Sequence, residues 1–267
     1  RRRAPMKPVA NRERSPKEAS PQRRIGVARA LSKLGIASRS VAAQWVRAGR
    51  VAVNDRLVHD PQTAVAEGRD RLTVDGHPVH AVPRRYVMLN KPRGLVTTAR
   101  DEKGRATVYA CFSDERDRRL APVGRLDKAS EGLLLFSNDS EWANRLLDPA
   151  AHLPKLYHVQ VDAPVGEDEL EHIRGGVRLQ DGDTLGVSAV RLLRRGEKNC
   201  WLEITLHEGR NRQIRRIVEV LGLKVLRLVR VAVGPLRLGD LAKGASRALG
   251  EDELRRINAT LAGQRRR

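Results

Sequence analysis

Val123-Gly124-Arg125-Leu126-Asp127-Lys128-Ala129-Ser130-Glu131-Gly132 runs directly into the apolar stretch Leu133-Leu134-Leu135-Phe136. Asp127 stands between two glycines just ahead of a run short and apolar enough to be a buried strand. This placement sets an acid at the rim of a core, where its neighbours control ionisation and orientation. An Asp that follows Arg-Leu in a loop is, taken alone, commonly a turn or cap residue. The rest of the string and its companions along the chain decide between the two readings.

Downstream, the strongest pattern is His207-Glu208-Gly209-Arg210-Asn211-Arg212-Gln213-Ile214-Arg215-Arg216. Asn211 suits a helix N-cap, and Ile214, Ile217, Val218 and Leu221 form the apolar stripe of the helix behind it. Arg212 and Arg216 are four apart and Arg215 is three from Arg212, so a basic edge flanks the stripe. In residues 225–233, alternation places Leu226, Leu228 and Arg230 on one face and Val229 and Val231 on the other. Other strand candidates are 86–91, stopped by Pro92 and Gly94, then 133–136, 157–161 and 201–206. Helical candidates fall at 140–147, 167–173 and 211–221. Strands mixed with short helices, without regular βα alternation, point to an α+β fold.

Upstream, Val27, Ala30, Leu31 and Leu34 keep helical spacing, and Gly35 ends that helix. Ser38 suits the N-cap of a second helix with Val41 and Trp45 on its inner face, closed by Gly49. Residues 50–58 read as two short strands about an Asn54-Asp55 turn. Arg24, Arg29, Lys33, Arg39, Arg47 and Arg50 lie on the outer faces of these elements, where any one alone is an ordinary solvated charge. Asp75-Gly76-His77-Pro78 closes the unit, and Ala81-Val82-Pro83 reads as a linker.

Fifty-two basic residues against thirty-two acidic ones give a net charge of +20, which favours a polyanionic partner. Aromatics are 3%, so extensive base stacking is not expected. Cys111 and Cys200 lie far apart, and the seven histidines show no ligand spacing. Neither a metal site nor a disulfide framework is expected, which suits a reducing cytosol. No window approaches the ~18 apolar residues of a membrane span. Residues 1–23 carry eight basic residues, two acidic ones and four prolines and lack a secretory apolar stretch. A disordered basic arm on a cytoplasmic protein is expected.

G-R-L-D-x-x-S-E-G-L-L-L, carried by residues 124–135, resembles the catalytic motif of the pseudouridine synthases, in the RsuA-like branch that modifies ribosomal RNA. H-E-G-R-N-R-Q-I-R-R, at 207–216, resembles a second signature of that family. L-x-x-L-G-I-A-S-R at 31–39 and V-R-A-G-R-V-x-V-N at 46–54 resemble the αL RNA-binding module shared with a ribosomal small-subunit protein. Ser40 and Asp55 depart from that module's usual pattern, where a basic residue and Gly are common. The stretch 89–101 is most similar to members acting on the large subunit.

The resemblance implies a helix-turn-helix-like αL module followed by a mixed, mainly antiparallel-sheet catalytic domain. Boundaries are expected at 1–23 for the basic arm, 24–80 for the module, 81–85 for the linker, 86–262 for the catalytic domain and 263–267 for a basic tail. Asp127 is implied as the sole essential acid; attack on the sugar, addition to the ring and abstraction of a ribose proton all stay open. Tyr157 is implied as a stacking partner for the extruded uracil, and Leu228 as packing against it. Arg215 is implied to pair with Asp127 and keep it ionised. Arg125 is expected to support the RNA or fill the space left by the flipped base. Lys91, Arg93, Arg210, Arg212 and Arg216 are expected at the RNA, with the six cations of the module. The chemistry needs no cofactor and no metal. The expected partner is ribosomal RNA in a large-subunit assembly intermediate, met by a monomer. The alternatives are a non-catalytic ribosome-assembly protein and a relative acting on small-subunit rRNA or tRNA.

Overall fold

The computed structural model describes residues 24–99 and 101–264. The expected basic arm, Arg100 and residues 265–267 lie outside them. In the N-terminal module, β1 (Arg24–Gly26) leads into α1 (Val27–Lys33), and α2 (Arg39–Arg47) follows. Val27, Ala28, Ala30 and Leu31 are buried, and Gly35, at φ 76°, turns the chain out of the helix. Ser38 Oγ accepts a hydrogen bond from the Val41 N–H, capping α2. The buried face of α2 is Ala42 and Val46, while Val41 is exposed and Trp45 half-buried. The inner face therefore sits one residue along from Val41 and Trp45. Small residues (Ala28, Ala30, Ala42) occupy the helix contact, and the bulky indole is left at the edge, 5.3 Å from the Arg50 guanidinium.

β2 (Val51–Val53) and β3 (Arg56–Val58) form a hairpin on Asn54 and Asp55, whose φ angles of 47° and 65° suit a two-residue turn. β4 (Ala64–Ala66) pairs with β1, and β5 (Leu72–Val74) pairs with both β2 and β6 (His77–Pro78). Residues 79–85 carry no regular structure but are tied at both ends. The Val82 N–H donates to Leu34 O, and Asn138 accepts from the Arg85 N–H while donating to Pro83 O. Lys33 reaches Glu67 of the module at 2.7 Å and Glu141 of the second domain at 2.8 Å. Its ammonium joins two domains instead of facing an open surface, which corrects its assignment to RNA.

The second domain opens with β7 (Tyr86–Lys91), α3 (Glu115–Arg118), β8 (Ala121–Val123), β9 (Glu131–Ser137) and α4 (Ser140–Leu147). β10 (Lys155–Val161), α5 (Glu167–Gly175), the small hairpin β11 (Val177–Arg178) with β12 (Thr184–Leu185), β13 (Ala189–Arg195) and β14 (Cys200–Leu206) follow. The chain ends through α6 (Gln213–Val220), β15 (Val225–Val233), β16 (Leu236–Arg237), β17 (Ser246–Ala248) and α7 (Glu251–Gln264). The main sheet runs β13-β14-β10-β15-β9-β7-β17, with β16 on β15 and β8 on β9. Within it β9–β15 is parallel and the other pairs are antiparallel, so the sheet is mixed and mainly antiparallel. No described helix is long and apolar enough to cross a membrane.

β13 and α7 are absent from the sequence expectations. Arg191, Arg194 and Arg195 obscure the alternation of β13, which is an edge strand. In α7, Ile257 and Leu261 pack into a core with Trp142, Leu236 and Leu133, and the helix runs past the expected boundary at 262 to Gln264. Along β10, Tyr157, Val159 and Val161 enter the larger core, backed by α5 and α6, while Leu156, His158 and Gln160 turn the other way. The Tyr157 side of the sheet carries the site.

Candidate active site

Gly132 determines how the site is assembled. It sits at φ 100° opposite Arg230, where β9 and β15 run parallel, and a Cβ there would lie 2.3 Å from Arg230 O. Only glycine permits this approach. The segment 126–130 is thereby held at the start of a fully buried strand, beside β15.

Each main-chain carbonyl of that segment has a donor. Thr97 Oγ1 donates to Leu126 O at 2.7 Å, and the Ser130 N–H donates to Asp127 O at 3.0 Å. The Gly94 N–H donates to Lys128 O at 2.7 Å, Arg215 Nη2 to Ala129 O at 3.0 Å, and Lys91 Nζ to Ser130 O at 2.8 Å. Leu126 is buried and acts as the anchor, while the Asp127 side chain is exposed. Among the described residues no hydrogen bond or ion pair engages its carboxylate. The backbone is clamped and the acid is left available.

Two expectations change here. Lys91 is fully buried, with Nζ bonded to Ser130 O and, at 3.1 Å, to Pro92 O, so it is no phosphate contact. In the β7–β9 register Lys91 lies opposite Gly132, at the strand end that adjoins the segment it holds. Burial pulls its ammonium down to about 8, with Cys111, Glu131 and Asp127 acting the other way. Arg215 forms no direct ion pair with Asp127; it holds the Ala129 carbonyl, and its Nε is buried without a partner. Burial lowers its guanidinium from the usual arginine value, Arg212 adds to this, Asp127 opposes it, and Arg93 adds further. Asp127 is close enough to be felt, but Arg215 acts first on the loop.

Asp127 opens onto a cleft of about 730 Å³ whose walls include Arg125, Tyr157, Arg212, Leu228 and Arg230. Tyr157 and Leu228 are buried on adjacent strands, and Arg125 is exposed at the rim. Leu226 shares the alternation but is exposed, because the register slips between Gln160 and Val161. The N-cap position of α6 is Arg212, in the left-handed conformation (φ 50°) and with no side-chain cap bond, so Asn211 is not its cap. Arg93 is exposed, with one bond to Leu226 O. Arg210 pairs with Asp183 at 2.8 Å and Arg216 with Asp181 at 2.7 Å, so both are partly engaged. In the module Arg50 is bound to Asp75, whereas Arg24, Arg29, Arg39 and Arg47 are exposed without an ion pair among the described residues.

Residues 85–219 match the family model described as RNA pseudouridylate synthase, and residues 27–70 match that of the S4 domain. The chain belongs to the RNA pseudouridylate synthase family. It is 40% identical over 228 residues to an RNA pseudouridine synthase of Aquifex aeolicus (strain VF5), covering 85% of this chain and 91% of that one. With the ribosomal large subunit pseudouridine synthase B of Bacillus subtilis (strain 168) it shares 36% over 230 residues, 86% and 93% of the two chains. A crystal structure of a pseudouridylate synthase matches with a TM-score of 0.62 at 26% identity, covering 87% of this chain and 99% of that one.

The synthase also places residues at the site that the motifs alone do not single out. Arg230 is buried and lines the cleft, with Nε donating to Leu133 O at 2.8 Å. Lys155 lines it too, its ammonium lowered by burial and next by Arg230. Buried Gln213 accepts from the Arg210 N–H and donates to Gly186 O and Glu208 Oε1, fixing the loop before α6. The alternation that puts Arg230 on the same face of the strand as Leu228 is the available signal, since a buried cation requires a built environment.

Proposed function

We propose that this synthase isomerises one uridine of large-subunit ribosomal RNA to pseudouridine, with Asp127 as the catalytic carboxylate acting on a base flipped into the cleft. The observation that carries this reading is the clamp on 126–130. Every carbonyl is held, and the free carboxylate faces a cleft large enough for a nucleotide. The bond from uracil N1 to the ribose breaks, the base turns while enclosed, C5 bonds to the ribose, the C5 proton leaves to solvent, and N1 takes up a proton in its place. Atoms and electrons balance without a cofactor. Attack on the sugar, addition to the ring and ribose proton abstraction all start from an ionised, positioned carboxylate.

Tyr157 stacks on the extruded base and Leu228 packs beside it, with Arg125 at the rim toward the RNA. Arg215 is a positioning residue, holding the loop and contributing positive potential. Arg24, Arg29, Arg39 and Arg47 of the S4 module take phosphates, together with Arg93 and Arg212. The large-subunit assignment rests on relatives named ribosomal large subunit pseudouridine synthase B in Bacillus subtilis and Pseudomonas aeruginosa, 36% and 38% identical. The protein acts as a cytoplasmic monomer on an assembly intermediate, where the target strand is still free to unstack. A non-catalytic assembly factor would leave the clamped, unpartnered Asp127 without a purpose.

Tritium release from transcripts labelled at uracil C5 tests the reading, using large-subunit rRNA, small-subunit rRNA and tRNA in parallel. Release is expected from large-subunit RNA, and Asp127→Asn should reduce it by about 10³-fold or more while RNA affinity stays within a few-fold. Release from tRNA alone, or a variant within tenfold of wild type, would overturn it.

A further inference from the structure

We propose that a second, smaller pocket beside the cleft is a subsite for the nucleobase adjoining the target uridine; this rests on the RNA-modifying reading above. The pocket has a volume of about 370 Å³ and shares Pro149, Leu206, His207 and Glu208 with the cleft. A strand with one nucleotide in the cleft therefore has its neighbour at this opening.

The walls are built for a flat, uncharged ring. His152 and His207 stand with ring centroids 6.5 Å apart and planes at 68°, both side chains exposed to the pocket. His152 adopts a left-handed conformation, φ 39° and ψ 36°, at the end of the 3₁₀ turn Pro149–Ala151. That conformation is uncommon outside glycine, and here buried Leu153 fixes the chain immediately after it. Imidazole offers a π face for stacking and ring nitrogens for base edges. Pro149, Val187 and Leu206 add apolar surface.

The site is also held rigid. Gln213 is 2% exposed and uses one amide to join two walls. It accepts from the Arg210 N–H at 3.1 Å and donates to Glu208 Oε1 at 3.0 Å and Gly186 O at 2.8 Å. The loop before α6 and the loop after β12 are thereby fixed to each other. Phosphate is disfavoured here, because Glu208 puts a carboxylate on the wall and Arg210 is committed to Asp183 and Glu208. A base fits where a phosphate does not.

The test uses a short large-subunit rRNA hairpin selected by filter binding, with abasic substitution scanned through its loop. Affinity is measured for the Asp127→Asn protein, which binds without turnover, and for the same protein carrying His152→Ala and His207→Ala. Two positions are expected to be costly with the first protein. Removing the target base should cost the same in both. Removing its neighbour should weaken binding about tenfold, the scale of one stacked base, only while the histidines are present. His207→Phe with His152 intact should restore most of that difference, since a flat ring remains. Equal penalties with and without the histidines, or no costly position beside the target, overturn the subsite. Failure of tritium release from every RNA would overturn the catalytic reading alone, because this measurement needs no turnover.

Discussion

Behind the Asp127 loop and on the outside of the S4 module, the chain uses the same residue types to opposite ends. Lys91, Arg215 and Arg230 are drawn into the second domain, and each donates to a main-chain carbonyl at Ser130, Ala129 or Leu133. Arg24, Arg29, Arg39 and Arg47 stay exposed on the module without an ion pair among the described residues. A carbonyl satisfies a buried cation's donors without cancelling its charge, so net positive potential is left behind the carboxylate. A solvated guanidinium keeps its charge for a phosphate. The environment decides which use is made of a cation.

Arg215 gives the sharpest way to break this contrast. Replacing it with Met keeps stem volume but removes the donor to Ala129 O and a charge felt at Asp127. Single-turnover rates on saturating RNA should fall about 10²-fold, with affinity little changed, as for loss of a preorganised electrostatic group. Arg215→Lys should recover part of the rate, since an ammonium reaches the carbonyl without the planar fork. Arg216→Met is the control and should leave the single-turnover rate near wild type, because Arg216 is paired with Asp181 at the surface and does not hold the Ala129 carbonyl. A rate within fivefold of wild type for Arg215→Met would place Arg215 with the module arginines.

The motif around Asp127 makes the location of the candidate site readable from sequence, since the cleft opens there, and the i, i+3, i+4 spacing makes α1, α4 and α5 readable. The partner of each cation is not readable, because partners come from far along the chain. Lys91 and Arg93 look equivalent in Asn90-Lys91-Pro92-Arg93-Gly94, yet one is buried and the other exposed. What separates them is the register of β7 on β9, which puts Lys91 against Gly132. Similarly, Lys33 becomes a domain contact only because α4 presents Glu141. Local pattern reports elements and motifs; the pairing of strands and domains assigns the charges.

Lys91 sharpens the contrast through stability. Lys91→Met leaves the Ser130 and Pro92 carbonyls without this donor and should cost about 1–3 kcal/mol in urea unfolding near neutral pH. The pH dependence has a definite sign. The folded ammonium is lowered to about 8 from 10.5, so between these values the unfolded chain binds more protons. Wild-type stability should therefore rise relative to the variant from about pH 8 toward 10.5, as the charge that burial disfavours is removed. The neutral amine keeps its donors to the carbonyls. A difference between the two proteins that is flat across this range would mean that Lys91 is not desolvated.

The smallest effect is expected on the module, and it tests whether free and engaged cations differ there as well. Arg39→Gln and Arg47→Gln should each lower RNA affinity several-fold at low salt and leave the saturated rate unchanged, because neither residue lines the cleft and both act on capture. The slope of log K against log salt should shrink by about 0.7–0.9 for each phosphate that is no longer neutralised. Lys33→Gln and Arg50→Gln remove the same charge from side chains already held by Glu67 and Glu141, or by Asp75. They should leave the slope nearly unchanged, since a cation that keeps its carboxylate releases no counterion from the RNA. Filter binding across a salt series, run on all four single variants, separates the two sets. If Lys33 and Arg50 flatten the slope as much as Arg39 and Arg47 do, their ion pairs open on RNA. The module would then rearrange against the second domain as it binds, and its paired cations would count among the groups that hold phosphate.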